Sequence, residues 1–158
     1  MRIEDLKLLE GFTIRQRGIL ERLFREIAGL DLSRYENLYV FALKAQQFYT
    51  ALEDLFKEIA RTFENRIEDP SRYHRELLVK MNTEAPGVRI AVISERTFRF
   101  LDRLRRFRHF IRHAYDYELD RDEIEKLQRL FKENFEALIS DLNRFLEFVR
   151  EASESDEV

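Results

Sequence analysis

The sequence has no cysteine, two prolines, four glycines and three histidines among its 158 residues. The absence of cysteine excludes disulfide bonds and thiolate chemistry. So little glycine and proline, together with 44% hydrophobic and 37% charged residues, is typical of a helical protein rather than a β-sandwich or a disordered chain. No apolar run approaches the roughly 20 residues needed to cross a bilayer, and residues 1–6 are too charged for a secretion signal. We therefore expect a soluble, cytoplasmic, all-α protein.

Hydrophobic spacing predicts four long helices and one short helix. The predicted ranges are about 4–28, 33–65 and 71–82, one helix starting after Ser94, and one starting after Asp120. A chain of this length can bury roughly 70% of its unfolded surface and so form its own core. Short connections between long helices predict an up-and-down four-helix bundle with an additional short helix. We expect one domain over residues 1–150 and a flexible acidic tail over residues 151–158.

Local signals mark several helix ends. Ser33 with Glu36 forms a capping-box pattern for the second helix. Ser94 and Asp120 are candidate N-caps of the last two long helices, and Gly29 is placed to end the first. The apolar face predicted for the first helix consists of Leu6, Leu9, Ile14, Leu20, Leu23 and Ile27. Residues 88–93 are apolar, and we interpret them as a loop rather than a strand.

The net charge of −3 conceals a strongly basic segment. Between Arg96 and His113 there are seven arginines, no lysine and a single acid, Asp102. The arginines are Arg96, Arg99, Arg103, Arg105, Arg106, Arg108 and Arg112. Six acids follow between Asp116 and Glu125. Two interpretations stand side by side: the arginines attract an anionic partner such as a nucleic acid, or the acids that begin the next helix neutralise many of them.

One arginine lies where the helical pattern calls for an apolar residue. The seam through Leu101, Leu104, Arg108, Ile111 and Tyr115 advances in steps of three and four residues. Arg108 is therefore predicted to point into the bundle. A buried arginine must be paired, must reach solvent or must bind an anionic ligand, because an unpaired buried charge costs several kcal/mol.

His113 does not share the face of Arg108. At about 100° per residue, the two side chains are roughly 140° apart around the helix. Either the helix ends near Ala114 and lets His113 turn inward, or a second copy of the chain completes the site across a two-fold axis. We predict the dimer, with these residues at its cleft. Arginine binds phosphate through a planar fork and histidine exchanges protons near neutral pH, so the combination indicates chemistry on a phosphodiester.

Metal chemistry is less well supported by the sequence. His109 and His113 are four residues apart on one helical face, which is also a spacing for metal ligands. The chain has one further histidine, His74, and no carboxylate shares that face between Arg105 and Ala114. No glycine-rich phosphate loop or serine nucleophile motif is present. We expect neither a metal nor a cofactor.

Residues 105–120, RRFRHFIRHAYDYELD, resemble the signature of HEPN domains, and in particular of HepT-like toxins of prokaryotic toxin–antitoxin pairs. The resemblance consists of the R-x-x-x-x-H core, the polar His109 after the arginine, the tyrosine two residues after His113, and the position before the last long helix. Further similarity runs through residues 45–49 and 73–78, so the resemblance covers most of the chain, more weakly before Ser33. His109 stands where many members carry asparagine or aspartate.

The resemblance implies a metal-independent endoribonuclease that acts as a homodimer in a type VII-like toxin–antitoxin system. Arg108, His113 and His109 would be its catalytic residues, and Tyr115 the site at which a minimal nucleotidyltransferase antitoxin of the MntA type adds AMP. RNA would be bound by Arg105, Arg106 and Arg112. The alternative is a catalytically inactive HEPN bundle that serves as the binding subunit of a nucleotidyltransferase partner.

Overall fold

The computed structural model describes residues 2–64, 73–113 and 118–155 and has five helices there. They are α1 (Ile3–Ala28), α2 (Tyr35–Glu64), α3 (Tyr73–Met81), α4 (Glu95–His113) and α5 (Arg121–Ser155). No strand occurs among these residues; a single antiparallel bridge joins Ala85 to Arg89 around Gly87, whose φ is 76°. The prediction of an all-α fold with four long helices and one short one is confirmed.

The four long helices form a ring in which α1 contacts α2 and α5, and α4 contacts the same two helices from the other side. Contacting residue pairs define their directions, because they join the start of one helix to the end of its neighbour. The pairs are Glu10 with Arg150, Phe24 with Phe135, Gln16 with Ala51, Glu26 with Lys44, Arg96 with Asn134, and Arg103 with Glu123. Neighbours around the ring are thus antiparallel, as in an up-and-down bundle. Helix α3 packs on α2 and α4.

Aromatic side chains fill the centre of the ring. Phe131 of α5 is fully buried and makes edge-on contacts with Phe41, Phe48 and Phe100, at ring-centroid distances of 5.9, 5.0 and 5.2 Å. Each fully buried phenylalanine contributes about 1.5–3 kcal/mol through apolar burial. This cluster joins α2, α4 and α5 and so fixes the position of α4, which carries the arginine-rich segment.

Three of the predicted helix ends match the structure. The Ser94 Oγ accepts a hydrogen bond from the Thr97 backbone N–H, and an Asp120 carboxylate oxygen accepts one from Asp122, so both residues act as N-caps. Gly29 is the C-cap of α1. The predicted loop over residues 88–93 also lies outside any helix or strand.

Other local expectations are corrected. Helix α2 begins at Tyr35 rather than at Ser33, because the Ser33 N–H and hydroxyl both donate to the Asp31 carboxylate and so stabilise the turn before the helix. Ile14 is 39% exposed, since the buried face of α1 passes instead through Thr13 and Gln16. Each of these polar side chains donates to a backbone carbonyl, which makes its burial tolerable.

The expectation of a flexible tail from Glu151 is also corrected. Helix α5 continues to Ser155, Ala152 packs against the core and Ser153 is 5% exposed. The Ser153 hydroxyl donates to the Arg150 carbonyl, which satisfies it inside the helix. Helix α5 thus keeps a core-facing stripe one turn beyond the predicted domain end. Residues 156–158, and Ser71 at the predicted start of α3, lie outside the described residues.

Candidate nucleic-acid processing site on α4

Helix α4 is anchored at its start by a carboxylate from α5. Asp141 is 4% exposed, and its Oδ2 accepts hydrogen bonds of 2.9 Å from both the backbone N–H and the hydroxyl of Ser94. The Ser94 hydroxyl oxygen also lies 3.2 Å from Thr97 Oγ1. These bonds satisfy the N-terminal end of α4 and fix its position on α5.

Arg108 points into the bundle, as its place on the apolar seam predicts. Its side chain is 14% exposed, and its Nη1 lies 3.8 Å from Oε1 of Glu53 on α2. The guanidinium carbon also lies 5.4 Å from the centre of the Tyr49 ring, a cation–π distance. Burial, reinforced by the negative charge of Glu53, raises the pKa of the Tyr49 phenol well above its ordinary value, so the ring stays neutral.

Glu53 is the residue of this site that the sequence reasoning missed. It is 4% exposed and lies close to three nitrogen-bearing side chains: Arg108, the Lys57 Nζ at 3.7 Å and the His74 Nδ1 at 2.6 Å. A signal was available, because Glu53 occupies the apolar seam of α2 four residues after Tyr49. A charged residue at a buried helical position must be paired, reach solvent or bind a ligand, and this applies to Glu53 as it does to Arg108.

His109 and His113 lie on a different face of α4. Both side chains are exposed, and their ring centroids are 4.5 Å apart. Helix α4 extends to His113, and the four residues after it lie outside the described residues. The structure therefore brings the two histidines together but does not bring either of them to Arg108 within one chain. Tyr115 lies outside the described residues.

The remaining arginines of α4 differ in how far they are neutralised. Arg105 donates from Nε and Nη2 to Asp102 Oδ1, at 3.0 and 2.9 Å, and the Nε of Arg106 lies 3.6 Å from the other oxygen of the same carboxylate. Arg103 lies 3.9 Å from Glu123 at the start of α5. Arg112 is exposed and forms no ion pair with any residue in the described ranges. Nearby acids thus neutralise some of the α4 arginines, whereas Arg112 is available to bind an anion.

Two further features of the described residues concern metal ions and membranes. Within residues 2–64, 73–113 and 118–155, no group of three or more histidine and acidic side chains is arranged to hold a metal ion. None of the helices described is long and apolar enough to cross a membrane.

Comparison with known families identifies the relationship. The family model described as HepT-like protein matches residues 40–149. The match includes nearly all of α2, the whole of α3 and α4, and most of α5, and so contains Arg108, both histidines of α4, Glu53 and His74. No curated protein and no solved structure gives a significant match.

Proposed function

The chain belongs to the HepT-like family, and from this we propose that it is the ribonuclease toxin of a type VII-like toxin–antitoxin pair. At the level of the family it is a HEPN-type, toxin-like protein. The observation that carries the proposal is Arg108: an arginine on the buried seam, with 14% of its side chain still exposed, on the helix whose end bears His109 and His113. Such an arginine is suited to bind a phosphodiester that approaches its exposed edge.

The proposed reaction is metal-independent cleavage of RNA. The ribose 2′-hydroxyl attacks the adjacent phosphorus, so DNA, which lacks this hydroxyl, is not a substrate. Arg108 holds the scissile phosphate and stabilises the charge that grows on its oxygens. His113 transfers a proton, a role worth roughly 10²–10⁴-fold in rate, and His109 orients or assists it. Arg105, Arg106 and Arg112 guide the RNA backbone.

The proposed active form is a homodimer. Because Arg108 faces α2 whereas His113 faces away from the bundle, one chain alone presents the two groups on different surfaces. A two-fold axis beside α4 would place His113 of the partner subunit opposite Arg108. Light scattering at micromolar concentration tests this arrangement, since a monomer that cleaves RNA would remove the composite site.

The proposed antitoxin is a separate minimal nucleotidyltransferase that adds AMP to Tyr115. Such a modification would place a phosphate-bearing group two residues after His113, where it would repel RNA. Mass spectrometry of protein produced with and without the transferase tests the site, because the mass of one or more AMP groups should appear on the peptide that contains Tyr115 and vanish in Tyr115→Phe.

The ribonuclease activity is tested by incubating purified, unmodified protein with RNA in EDTA. We expect cleavage by the wild type, strong loss in Arg108→Ala and His113→Ala, and no cleavage of a DNA of the same sequence. A wild-type protein with an unmodified Tyr115 that leaves RNA intact at every concentration would contradict the proposal. It would favour the second candidate, a binding subunit, for which the pairing of Arg108 with Glu53 is the supporting observation.

A further inference from the structure

The third histidine of the chain is held by the same buried carboxylate as Arg108. Helix α3 places the Nδ1 of His74 2.6 Å from Oε2 of Glu53, while Oε1 of Glu53 lies 3.8 Å from Nη1 of Arg108. A single side chain of α2 thus joins the arginine of α4 to a histidine that lies 34 residues earlier in the sequence. The cluster is not enclosed, because the His74 side chain is 40% exposed.

This contact fixes the orientation of the His74 ring. A carboxylate accepts hydrogen bonds, so Nδ1 carries the proton of the neutral ring and donates it to Glu53. The other nitrogen, Nε2, is then the acceptor, and it has no hydrogen-bond partner among the described residues. A buried acid that orients an imidazole in this way also stabilises the cation formed when the ring takes up a proton.

RNA cleavage by the 2′-hydroxyl requires two proton transfers, one from the nucleophile and one to the leaving oxygen. His113 lies away from Arg108 on the surface of α4, whereas His74 shares a carboxylate with Arg108. On the basis of the proposed ribonuclease function, we propose that His74 is a further catalytic residue, the general base of the reaction, and that Glu53 is its positioning residue.

Nε2 of His74 removes the proton from the 2′-hydroxyl, and the 2′-oxygen forms a bond to the phosphorus held by Arg108. The bond from phosphorus to the 5′-oxygen breaks, and that oxygen receives a proton from His113 of the partner subunit. The products are a 2′,3′-cyclic phosphate and a free 5′-hydroxyl, and solvent restores both histidines to their starting protonation states.

The experiment compares His74→Ala, His74→Asn and a control, Glu76→Gln, on a short RNA. Asparagine can still donate to Glu53 but cannot take up a proton, and Glu76 is an exposed residue two positions along α3. We expect both His74 variants to lose roughly 10²-fold in rate with unchanged helical content by circular dichroism, the control to retain wild-type activity, and added imidazole to restore part of the activity of His74→Ala.

A second RNA substrate distinguishes the role of His74 as base from the role of His113 as acid. In an RNA with sulfur in place of the bridging 5′-oxygen, the leaving group departs without protonation. The defect of His74→Ala should persist on this substrate, whereas the defect of His113→Ala should largely disappear. Glu53→Gln should slow the wild type more than it slows His74→Ala, because part of its effect acts through His74.

The outcomes distinguish this proposal from the function on which it rests. If the wild type cleaves RNA and His74→Asn is within a few-fold of it, the catalytic role of His74 is wrong and the ribonuclease function stands. If the defect of His74→Ala disappears on the sulfur substrate, the assignment as base is wrong. If the wild type does not cleave RNA at all, both proposals fail.

Discussion

Two buried carboxylates contact α4, one at each end, and they differ in what surrounds them. Asp141 and Glu53 are each 4% exposed. Asp141 accepts two hydrogen bonds from Ser94 and so caps the start of α4. It also lies 3.5 Å from Arg144 of its own helix. Glu53 lies beside nitrogen-bearing side chains from three helices, Arg108, Lys57 and His74, and the last two reach solvent. The difference teaches that burial of an acid does not by itself indicate function; the chemistry of its neighbours does.

The largest expected effect is the loss of activity on removing the arginine paired with Glu53. Arg108→Ala should lower RNA cleavage by about 10²–10³-fold, the usual cost of deleting a preorganised charge at the reacting phosphate. Arg108→Lys should recover little, because lysine lacks the planar fork. The control is Arg103→Ala, which removes an arginine paired with α5 instead. Cleavage by Arg108→Ala within a few-fold of wild type would place the phosphate elsewhere.

The Asp141 cluster should respond in stability rather than activity. Asp141→Ala leaves the Ser94 backbone N–H without its partner, and we expect the free energy of unfolding in urea to fall by about 2–3 kcal/mol. Asp141→Asn keeps an oxygen that accepts from Ser94 and should lose less. The folded fraction of each variant should cleave RNA at the wild-type rate. A catalytic defect in folded Asp141→Ala would erase the distinction between the two carboxylates.

Tyr49, whose ring lies against the Arg108 guanidinium, gives the Glu53 cluster a pH dependence. Burial raises the pKa of its phenol above the ordinary value near 10, so above that pH the unfolded chain releases a proton that the folded chain retains. Stability should therefore be complete below pH 10 and fall as the pH rises further, by up to about 1.4 kcal/mol per pH unit. Urea unfolding between pH 9 and 11.5 should show this extra slope in wild type.

The matched variant is Tyr49→Phe, which keeps the ring under Arg108 and removes the titrating group. Its stability should fall less steeply with alkaline pH than that of the wild type. Identical slopes would show that the phenol ionises inside the folded protein, and would contradict the burial assigned to it.

The smallest expected effect concerns two arginines of α4 that differ in pairing and in exposure. Arg112 has no ion pair among the described residues, whereas Arg105 donates twice to Asp102. Arg112→Ala should reduce the slope of log affinity for single-stranded RNA against log salt by about 0.7, and Arg105→Ala by less. Filter binding between 50 and 300 mM salt with an uncleavable RNA measures both; a larger change for Arg105→Ala would reverse their order.

Much of the fold follows from local sequence because the signals act within one helix. The helical period placed Arg108 on a buried face, and Ser94 and Asp120 marked helix starts through bonds to residues two or three positions away. Where a local signal competed with another, the prediction was wrong: Ser33 bonds back to Asp31 instead of capping α2. Helix α5 also extends to Ser155, beyond its predicted end, because Ser153 still packs against the core.

The sequence by itself determined which face of α4 each side chain occupies, because a helix repeats every 3.6 residues whatever surrounds it. It also determined that Arg108 must be paired, must reach solvent or must bind an anionic ligand. Only the tertiary structure decided that Arg108 is paired with Glu53, and that Glu53 also holds His74. The reason is that these residues come from three helices, and the depth at which helices pack against each other depends on the fit of all their side chains at once.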